Sequence, residues 1–273
     1  MVDLERFRDQ IRLLTCHTLI EAKGGHIGGS MSIVEVLAVI YGKHMRFDSS
    51  NPKWGNRDWF VLSKGHSGPA YYATLSLVGF FDKSLLSTLN HDDTQLPSHP
   101  DSLKTRGVDC TTGSLGQGIS QAVGVAIALK QKRKDNVVYC IIGDGESNEG
   151  QVWEAVQFAV GHKLDNFILF IDDNKNQLDG PTKEVNIELN FSKIMDSFGF
   201  YTQVVKGDDL SAIDQAIVNA RNNRGSPSAI VLETIKGQGI GFVEKMANNH
   251  HIAIEGLVKE NLLRELQILE DRV

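Results

Sequence analysis

A short glycine motif carrying a single carboxylate stands near the middle of the chain. The motif is Gly143-Asp144-Gly145, and it comes directly after the apolar run VVYCII and just before a predicted helix. Flanking glycines allow a phosphate to approach the backbone closely, and a helix N-terminus favours an anion. A carboxylate at that place would repel a bare phosphate unless a cation lay between them. The pattern therefore favours Asp144 as a metal ligand over a direct phosphate contact.

A second polar cluster follows the next apolar run along the chain. The run NFILFI ends in the residues DDNKN at positions 172–176, which include Asn174 and Asn176. Because adjacent parallel strands end side by side, we expect Asp144 and the loop of Asn174 to converge. A carboxylate, an amide oxygen, a backbone carbonyl and two diphosphate oxygens form a hard-oxygen set suited to Mg²⁺, with water completing the octahedron. The alternative interpretation is a tight turn followed by an ordinary polar loop.

The histidines also point to chemistry, because most of them fall in loops. Of nine histidines, five lie in segments rich in glycine, proline or asparagine: His26, His66, His99, His250 and His251. Any one of these could be a solvated loop residue. Four loop histidines at one edge of a sheet would suit a site that moves protons near neutral pH. Imidazoles also exchange hydrogen bonds with hydroxyl groups, so the cluster favours a polyol substrate over an apolar one.

The elements that must position these residues follow a regular alternation. Helices are predicted over 3–22, 32–45 (with Ser32 as the N-cap and Glu35 completing a capping box), 69–77, 117–132, 149–160, 191–198 and 210–222. Strands are predicted over 59–62, 137–142, 167–172, 201–205 and 228–233. Strands that are apolar throughout and alternate with helices indicate a parallel sheet covered on both faces. We therefore predict an α/β fold: a doubly wound, mainly parallel sheet with helices on both faces, in a single domain over residues 1–273.

The composition and charge of the chain argue against two classes of binding partner, nucleic acids and membranes. The chain has 273 residues, a hydrophobic fraction of 41% and a formal charge of −6. This balance gives no dense basic patch for nucleic acid, and the longest apolar runs are too short to cross a bilayer. The N-terminus MVDLERFRDQ is charged where a signal peptide needs an apolar core, and three widely spaced cysteines predict neither disulfides nor a zinc site. We expect a globular, cytoplasmic protein with no nucleic-acid or membrane partner.

Several segments in register resemble the transketolase family. They are GGHIGGSMS, FVLSKGHSGPAYYA, LPSHPDSLKT, TTGSLGQGIS, GDGESNEGQVWEA, DDNKNQLDGPT and ETIKGQG, and they run in family order from about residue 10 to residue 250. Within them, Gly143-Asp144-Gly145 and Asn174 look like the thiamine diphosphate motif of that family. The resemblance covers only the first, diphosphate-binding domain. It implies transfer of a two-carbon ketol unit from a ketose, or ketose phosphate, to an aldose, with thiamine diphosphate and Mg²⁺ (or Ca²⁺ or Mn²⁺ in its place) as cofactors.

The resemblance also implies roles for individual residues. Asp144 and Asn174 would ligate the metal through their side chains and Asn176 through its carbonyl, with Gly143 and Gly145 at the diphosphate. Lys64, His66, Lys236 and His250 would lie near the diphosphate and the reacting side of the thiazolium. Gly113 and Leu115 would contact the aminopyrimidine through the main chain, and Leu178 would pack on the thiazolium. His26 and His99 would contact the hydroxyls of the sugar, so the implied catalytic residues are His26, His66, His99 and His250. Glu149 and Glu154 match acidic positions at the subunit interface that links paired active sites, and Glu154 is counted with the cofactor-binding residues.

The family continues into an aminopyrimidine-binding domain and a C-terminal domain. The resemblance therefore implies a partner chain that carries them, including the glutamate that activates the aminopyrimidine, in an α2β2 heterotetramer. Two alternatives stay open: the α subunit of a thiamine-dependent 2-oxo acid dehydrogenase, and a non-catalytic cofactor-binding partner. The chain departs from the family where Trp-His-Gly is common, because it has Asn248-Asn249-His250-His251-Ile252 there. This leaves open whether His250 or His251 is the active-site histidine.

Overall fold

The computed structural model describes residues 2–271, and a parallel sheet of five strands lies at its centre. The strands of the chain are β1 Gly24–Gly25, β2 Trp59–Leu62, β3 Val138–Gly143, β4 Phe167–Asp173, β5 Tyr201–Lys206, β6 Ser228–Glu233 and β7 Ile252–Ala253. The central sheet has the order β2-β3-β4-β6-β5, and every pair in it is parallel. The short strands β1 and β7 form a separate antiparallel pair.

Helices surround this sheet. They are α1 Leu4–Glu21, α2 Ile27–Met31, α3 Val34–Val39, α4 Gly68–Leu77, α5 Gln117–Gln131, α6 Gly150–Gly161, α7 Thr182–Val185, α8 Phe191–Phe198, α9 Leu210–Asn222, α10 Gly241–Glu244 and α11 Gly256–Glu270. A π turn at Ile40–His44 continues α3, and short 3₁₀ turns occupy Gly65–Ser67, Lys83–Thr88 and Glu146–Asn148. Within residues 2–271 no helix has the length and apolar character that crossing a bilayer requires.

Side chains alternate between two hydrophobic cores along each central strand. On β3, Tyr139 and Ile141 pack into a core shared with α1, α3, α4, α9 and α11. Cys140 and Ile142 point the other way, into a core shared with α5, α6 and α8. A strand buried on both faces must be apolar throughout, and this explains the continuous apolar runs of the sequence. The predicted doubly wound sheet with helices on both faces is confirmed.

The register of the sheet brings the two polar clusters together. Gly143 of β3 lies opposite Asp172 of β4, and the next backbone amide, of Asp144, donates to the Asp172 carbonyl oxygen at 3.1 Å. The predicted convergence of these two strand ends is confirmed. In a parallel sheet the loops that follow these ends surround the ligand-binding edge.

The prediction that Ser32 caps a helix is wrong. The Ser32 hydroxyl instead donates to Asp172 Oδ2 at 2.7 Å and lies 3.1 Å from the Gly29 carbonyl oxygen. Glu35 does not close a capping box, because its carboxylate is buried and accepts from Arg12 and from Gln238. α3 begins after Ile33 without a side-chain cap. Contacts with distant parts of the chain therefore replace the local hydrogen bonds that the capping motif predicts.

Among the elements that were not predicted, α11 and the pair of β1 and β7 involve the C-terminal part of the described chain. α11 packs on α1 and buries Leu262, Leu266 and Leu269. The pair of β1 and β7 aligns Gly24 with Ala253 and Gly25 with Ile252. This pairing brings the residues just after β1 next to the residues just before β7, although they are far apart in the sequence.

Close packing of α5 on β2 depends on a glycine, and we predict its replacement to destabilise the chain. A Cβ atom on Gly118 would lie 2.6 Å from Ser63 Cα, which is backbone and cannot move aside. We expect Gly118→Ala to lower the free energy of unfolding by about 1–3 kcal/mol, measured by urea denaturation. Gly124 lies on the same helix with no atom near its Cβ position. As the matched control, Gly124→Ala should be neutral or stabilising by up to about 1 kcal/mol; equal losses in both variants would contradict the packing argument.

Candidate active site

A cavity of about 260 Å³ opens at the carboxyl edge of the central sheet, where β3 and β4 end. It gathers nearly all of the residues that the sequence predicts for the site: His26, Lys64, His66, His99, Gly113, Leu115, Gly143, Asp144, Gly145, Asn174, Asn176, Leu178, Lys236 and His250. These residues come from loops spread over more than two hundred positions of the sequence. Glu154 is the one predicted site residue that does not line it.

Asp144 carries a buried carboxylate with no ion-pair partner within residues 2–271. Its side chain accepts from the Gly145 amide at 2.8 Å and from the Thr182 hydroxyl at 3.1 Å, and the residue is only 4% exposed. Burial, together with the nearby charge of Asp172, raises the pKa of Asp144 to about 6. A bound divalent cation would stabilise the ionised form of this carboxylate.

The predicted metal-binding loop presents its oxygens in a fixed arrangement. Asn174 donates through Nδ2 to Asp172 Oδ2 at 2.8 Å, which fixes the opposite end of the amide, Oδ1, as an acceptor. That oxygen lies 3.1 Å from the Asn176 amide nitrogen. No group of three histidine, cysteine, aspartate or glutamate side chains within residues 2–271 forms a metal cluster of the zinc type. A carboxylate, an amide oxygen and the Asn176 carbonyl are instead the hard donors that fit Mg²⁺.

Cationic and imidazole groups surround the remainder of the cavity. Lys236 donates to the carbonyl oxygens of Asn176 and Gln177 at 3.1 and 2.8 Å. Burial, and then the charge of Lys64, lowers the pKa of Lys236 to about 8. His250 Nδ1 is buried without a hydrogen-bond partner among the described residues. The ammonium groups of Lys64 and Lys236, next to an unpartnered imidazole nitrogen, fit an anionic ligand such as a diphosphate.

Asp172 supports residues of the cavity, and the sequence motifs do not identify this role. It is fully buried, and its carboxylate accepts from Lys64 at 2.5 Å and from Thr234 at 2.5 Å, in addition to Ser32 and Asn174. Burial opposes its ionisation, but the Lys64 ammonium and these hydrogen bonds outweigh burial and lower the pKa of Asp172. Asp172 therefore orients a predicted metal ligand and holds Lys64 beneath the cavity. Its place at the end of an apolar run is visible in the sequence, but most of its partners lie in distant segments.

Glu146 is a second residue that the sequence motifs leave without a role. Its buried carboxylate accepts from the Ser63 hydroxyl at 2.5 Å and from the backbone amides of Gly116 and Gly143 at 2.9 and 3.1 Å. Burial raises the pKa of Glu146, and the hydrogen bonds counter that effect in part. Glu146 thus joins the glycine turn to the loop that precedes α5. The available signal was its position directly after the glycine motif, in the letters GDGE.

The loop histidines converge as expected. The His26 ring centroid lies 5.5 Å from that of His66, 5.8 Å from His99, 5.2 Å from His250 and 4.6 Å from His251. The pairing of β1 with β7 produces this cluster, because it brings His26 beside His250 and His251. His250 lines the cavity, whereas His251 is exposed.

The two glutamates that are predicted to lie at a subunit interface do not line the cavity. Glu154 is exposed on α6, and Glu149 is exposed at the residue just before that helix. The structure therefore places no contact between Glu154 and the cavity of its own chain. Their position at a subunit interface stays a prediction.

We predict that His26 titrates far below the usual range of histidine in the chain without cofactor. Burial, followed by the neighbouring His251 and His99, lowers its pKa to about 4. Between that pH and about 6.5 the unfolded chain binds a proton that the folded chain does not, so the free energy of unfolding falls as the pH falls through this window. His26→Gln should reduce that slope by less than the ~1.4 kcal/mol per pH unit of one full proton, because solvent screens a partly exposed ring. NMR titration and urea unfolding measure both effects; a His26 midpoint near 6.5 would contradict the prediction.

The fold and the site together define a class of protein: an α/β domain with a ligand cavity at the carboxyl edge of a doubly wound sheet. The family model described as transketolase, thiamine diphosphate binding domain, matches residues 4–262. The chain belongs to the transketolase family.

Relatives of similar length carry the names of transketolase subunits. The chain is 46% identical over 266 residues to the 6-deoxy-6-sulfo-D-fructose transketolase subunit SqwG of Clostridium sp. strain MSTE9, covering 97% of each chain. It is 37% identical over 244 residues to an apulose-4-phosphate transketolase subunit of Actinobacillus succinogenes, covering 89% of this chain and 88% of that one.

Solved transketolases share the fold. The structure of the Campylobacter jejuni enzyme matches with a TM-score of 0.89 and 30% identity over 98% of this chain, and that of the Leishmania mexicana enzyme with a TM-score of 0.87 and 27% identity over 100% of it. The chain spans 43% and 46% of those two enzymes. The family model and these structures favour a transketolase over the alternative of a 2-oxo acid dehydrogenase subunit.

Proposed function

We propose that this chain is the cofactor-binding, N-terminal subunit of a two-chain transketolase. It would transfer a two-carbon ketol unit from a ketose to an aldose, with thiamine diphosphate and Mg²⁺. The observation that carries the proposal is one cavity in which the hard-oxygen set of Asp144, Asn174 and Asn176 lies with a cluster of histidines. Support also comes from same-length relatives that are named as subunits.

Each part of the cavity has a task in this proposal. Asp144, Asn174 and the Asn176 carbonyl would hold the metal, and Lys236 and His250 would orient the diphosphate. Thiamine diphosphate, when bound, supplies a nucleophilic thiazolium carbon for attack on a ketose carbonyl.

The remaining residues of the site act on the organic part of the cofactor and on the sugar. Leu178 is 56% exposed, so its side chain is available to pack on the thiazolium. The main chain of Gly113 and Leu115 would contact the aminopyrimidine. His26 and His99 would exchange protons with the sugar hydroxyls, with neutral rings that can both accept and donate.

The partner would supply the aminopyrimidine-binding domain and the C-terminal domain, in an assembly of two copies of each chain. Apolar side chains lie exposed in loops of this chain, with Leu103 94% and Ile187 63% exposed in addition to Leu178. A partner that covers these loops would remove this apolar surface from water. The glutamate that activates the aminopyrimidine would come from that partner.

For the donor sugar we propose 6-deoxy-6-sulfo-D-fructose. Support comes from the relative that carries the name of a transketolase for that sugar, which is 46% identical over 97% of this chain. Removal of a two-carbon ketol unit from a six-carbon ketose leaves a four-carbon aldose, and an aldose acceptor gains the two carbons. Mass spectrometry can therefore identify both products by their carbon number.

The test combines this chain with the C-terminal transketolase subunit of the same genome, thiamine diphosphate and Mg²⁺. Donors would be 6-deoxy-6-sulfo-D-fructose, fructose 6-phosphate and apulose 4-phosphate, with glyceraldehyde 3-phosphate as acceptor. We expect ketol transfer only when both chains are present, with the sulfosugar as the best donor. Full turnover by this chain alone would overturn the two-chain proposal. Preference for fructose 6-phosphate would overturn only the proposed identity of the donor sugar. Native mass spectrometry of the mixture tests the stoichiometry.

A further inference from the structure

Gln177 lines the cavity. In the sequence it lies between Asn176, a predicted metal ligand, and Leu178, which is predicted to pack on the thiazolium. Its backbone is fixed on both sides: its amide donates to the Gly180 carbonyl oxygen at 2.8 Å, and its own carbonyl accepts from Lys236 at 2.8 Å. These two hydrogen bonds hold the backbone of Gln177 in place, and with it the origin of the side chain.

The carboxamide of Gln177 lies over the glycine turn. A Cβ atom built on Gly145 would meet Gln177 Cγ at 3.0 Å and Cδ at 3.2 Å. Gln177 Nε2 is buried and has no hydrogen-bond partner within residues 2–271. Buried amide donors are normally paired, so a donor left free at a cavity wall indicates an acceptor that the bound ligand provides.

The surroundings of this amide specify the chemistry of that acceptor. Lys236 holds the adjacent backbone, and a second unpartnered group, His250 Nδ1, lines the same cavity. Oxygens of a diphosphate only accept hydrogen bonds, so they match an unpaired amide donor that lies beside the ammonium group of Lys236. The position over Gly145 lies beside the turn that the family resemblance associates with the diphosphate.

We propose that Gln177 is a cofactor-binding residue whose side-chain amide donates a hydrogen bond to the diphosphate of thiamine diphosphate. The proposal rests on the proposed function, because it takes this cavity to be the cofactor site. It adds a neutral, directional donor to the charged groups of Lys236 and His250. Glutamate at this position would present a second carboxylate to the diphosphate, and leucine would remove the donor at nearly constant volume.

Isothermal titration calorimetry of the full chain, alone and with its partner chain, tests this with three probes in Mg²⁺. The probes are thiamine diphosphate, inorganic pyrophosphate and thiamine. We expect Gln177→Leu to weaken thiamine diphosphate and pyrophosphate about tenfold each, and Gln177→Glu to weaken both further. Thiamine, which has no phosphate, should bind all variants alike. Gln215, an exposed glutamine of α9, provides the matched control Gln215→Leu, which should bind as the wild type does.

The outcomes separate this inference from the proposed function. If the wild type binds neither thiamine diphosphate nor pyrophosphate with its partner present, the cofactor site itself is wrong and both proposals fall. If the wild type binds and Gln177→Leu binds equally well, only the role of Gln177 falls. If Gln177→Leu weakens thiamine as much as pyrophosphate, the side chain shapes the cavity and does not contact the diphosphate, and this also overturns the inference.

Discussion

Asp144→Asn is expected to weaken Mg²⁺-dependent binding of thiamine diphosphate at least about 100-fold. The carboxylate is buried beside Asp172 and accepts only two hydrogen bonds among the described residues, so the metal would be its main partner. Asparagine keeps the shape and removes the charge that attracts a divalent cation. Calorimetric titration with and without Mg²⁺ measures the loss, and circular dichroism checks that the variant folds.

The control for this prediction is Asp196→Asn, since Asp196 is exposed on α8. It should bind the cofactor as the wild type does. Removing the buried charge at position 144 should also stabilise the chain in the absence of metal. Unchanged Mg²⁺-dependent binding by Asp144→Asn would rule out Asp144 as a metal ligand.

Lys64→Met is expected to destabilise the chain by about 3–5 kcal/mol, because it leaves the buried carboxylate of Asp172 without its cation. The two side chains are 1% and 0% exposed, so water cannot replace the lost partner. Asp172→Asn should have a similar cost, since it leaves the ammonium buried. The double variant should lose much less than the sum of the two singles, because neither charge is then isolated.

The neighbouring pair of Lys175 and Asp173 is the control for this prediction. Their side chains are 50% and 8% exposed and lie 2.7 Å apart. Lys175→Met should cost less than Lys64→Met, because solvent reaches the half-exposed Lys175 but not Lys64. Urea unfolding of the three single variants and the double variant measures all of these values, and simple additivity of Lys64→Met and Asp172→Asn would contradict a coupled pair.

The central sheet can be predicted well from the sequence because its patterns are local. Apolar runs and helical spacing lie within single segments, and the convergence of Asp144 with Asn174 needs only the rule that adjacent parallel strands end together. The same reasoning fails for Ser32, because the hydroxyl of a serine before a helix looks the same whether it caps that helix or bonds to Asp172. It also fails for Gly24-Gly25, since two glycines carry no strand signal and their partners lie at the other end of the chain.

The site residues also differ in whether local patterns or long-range contacts reveal them. Motif letters identify the groups that line the cavity, but they do not reveal which groups hold one another. Asp172 and Glu146 hold neighbours that only the folded chain brings close, and Gln177 meets the turn of Gly145 only in the folded chain. Such residues become visible from burial and hydrogen bonds, not from spacing.

We expect the contact of β1 with β7 to form late in folding. It joins residue 24 to residue 253, and closing so long a loop is entropically slow unless the intervening chain is already compact. The predicted metal ligands Asp144 and Asn174 follow β3 and β4, which are consecutive strands of the chain. The histidine cluster must wait for β7, so we expect the predicted metal ligands to reach their positions before His26 meets His250 and His251.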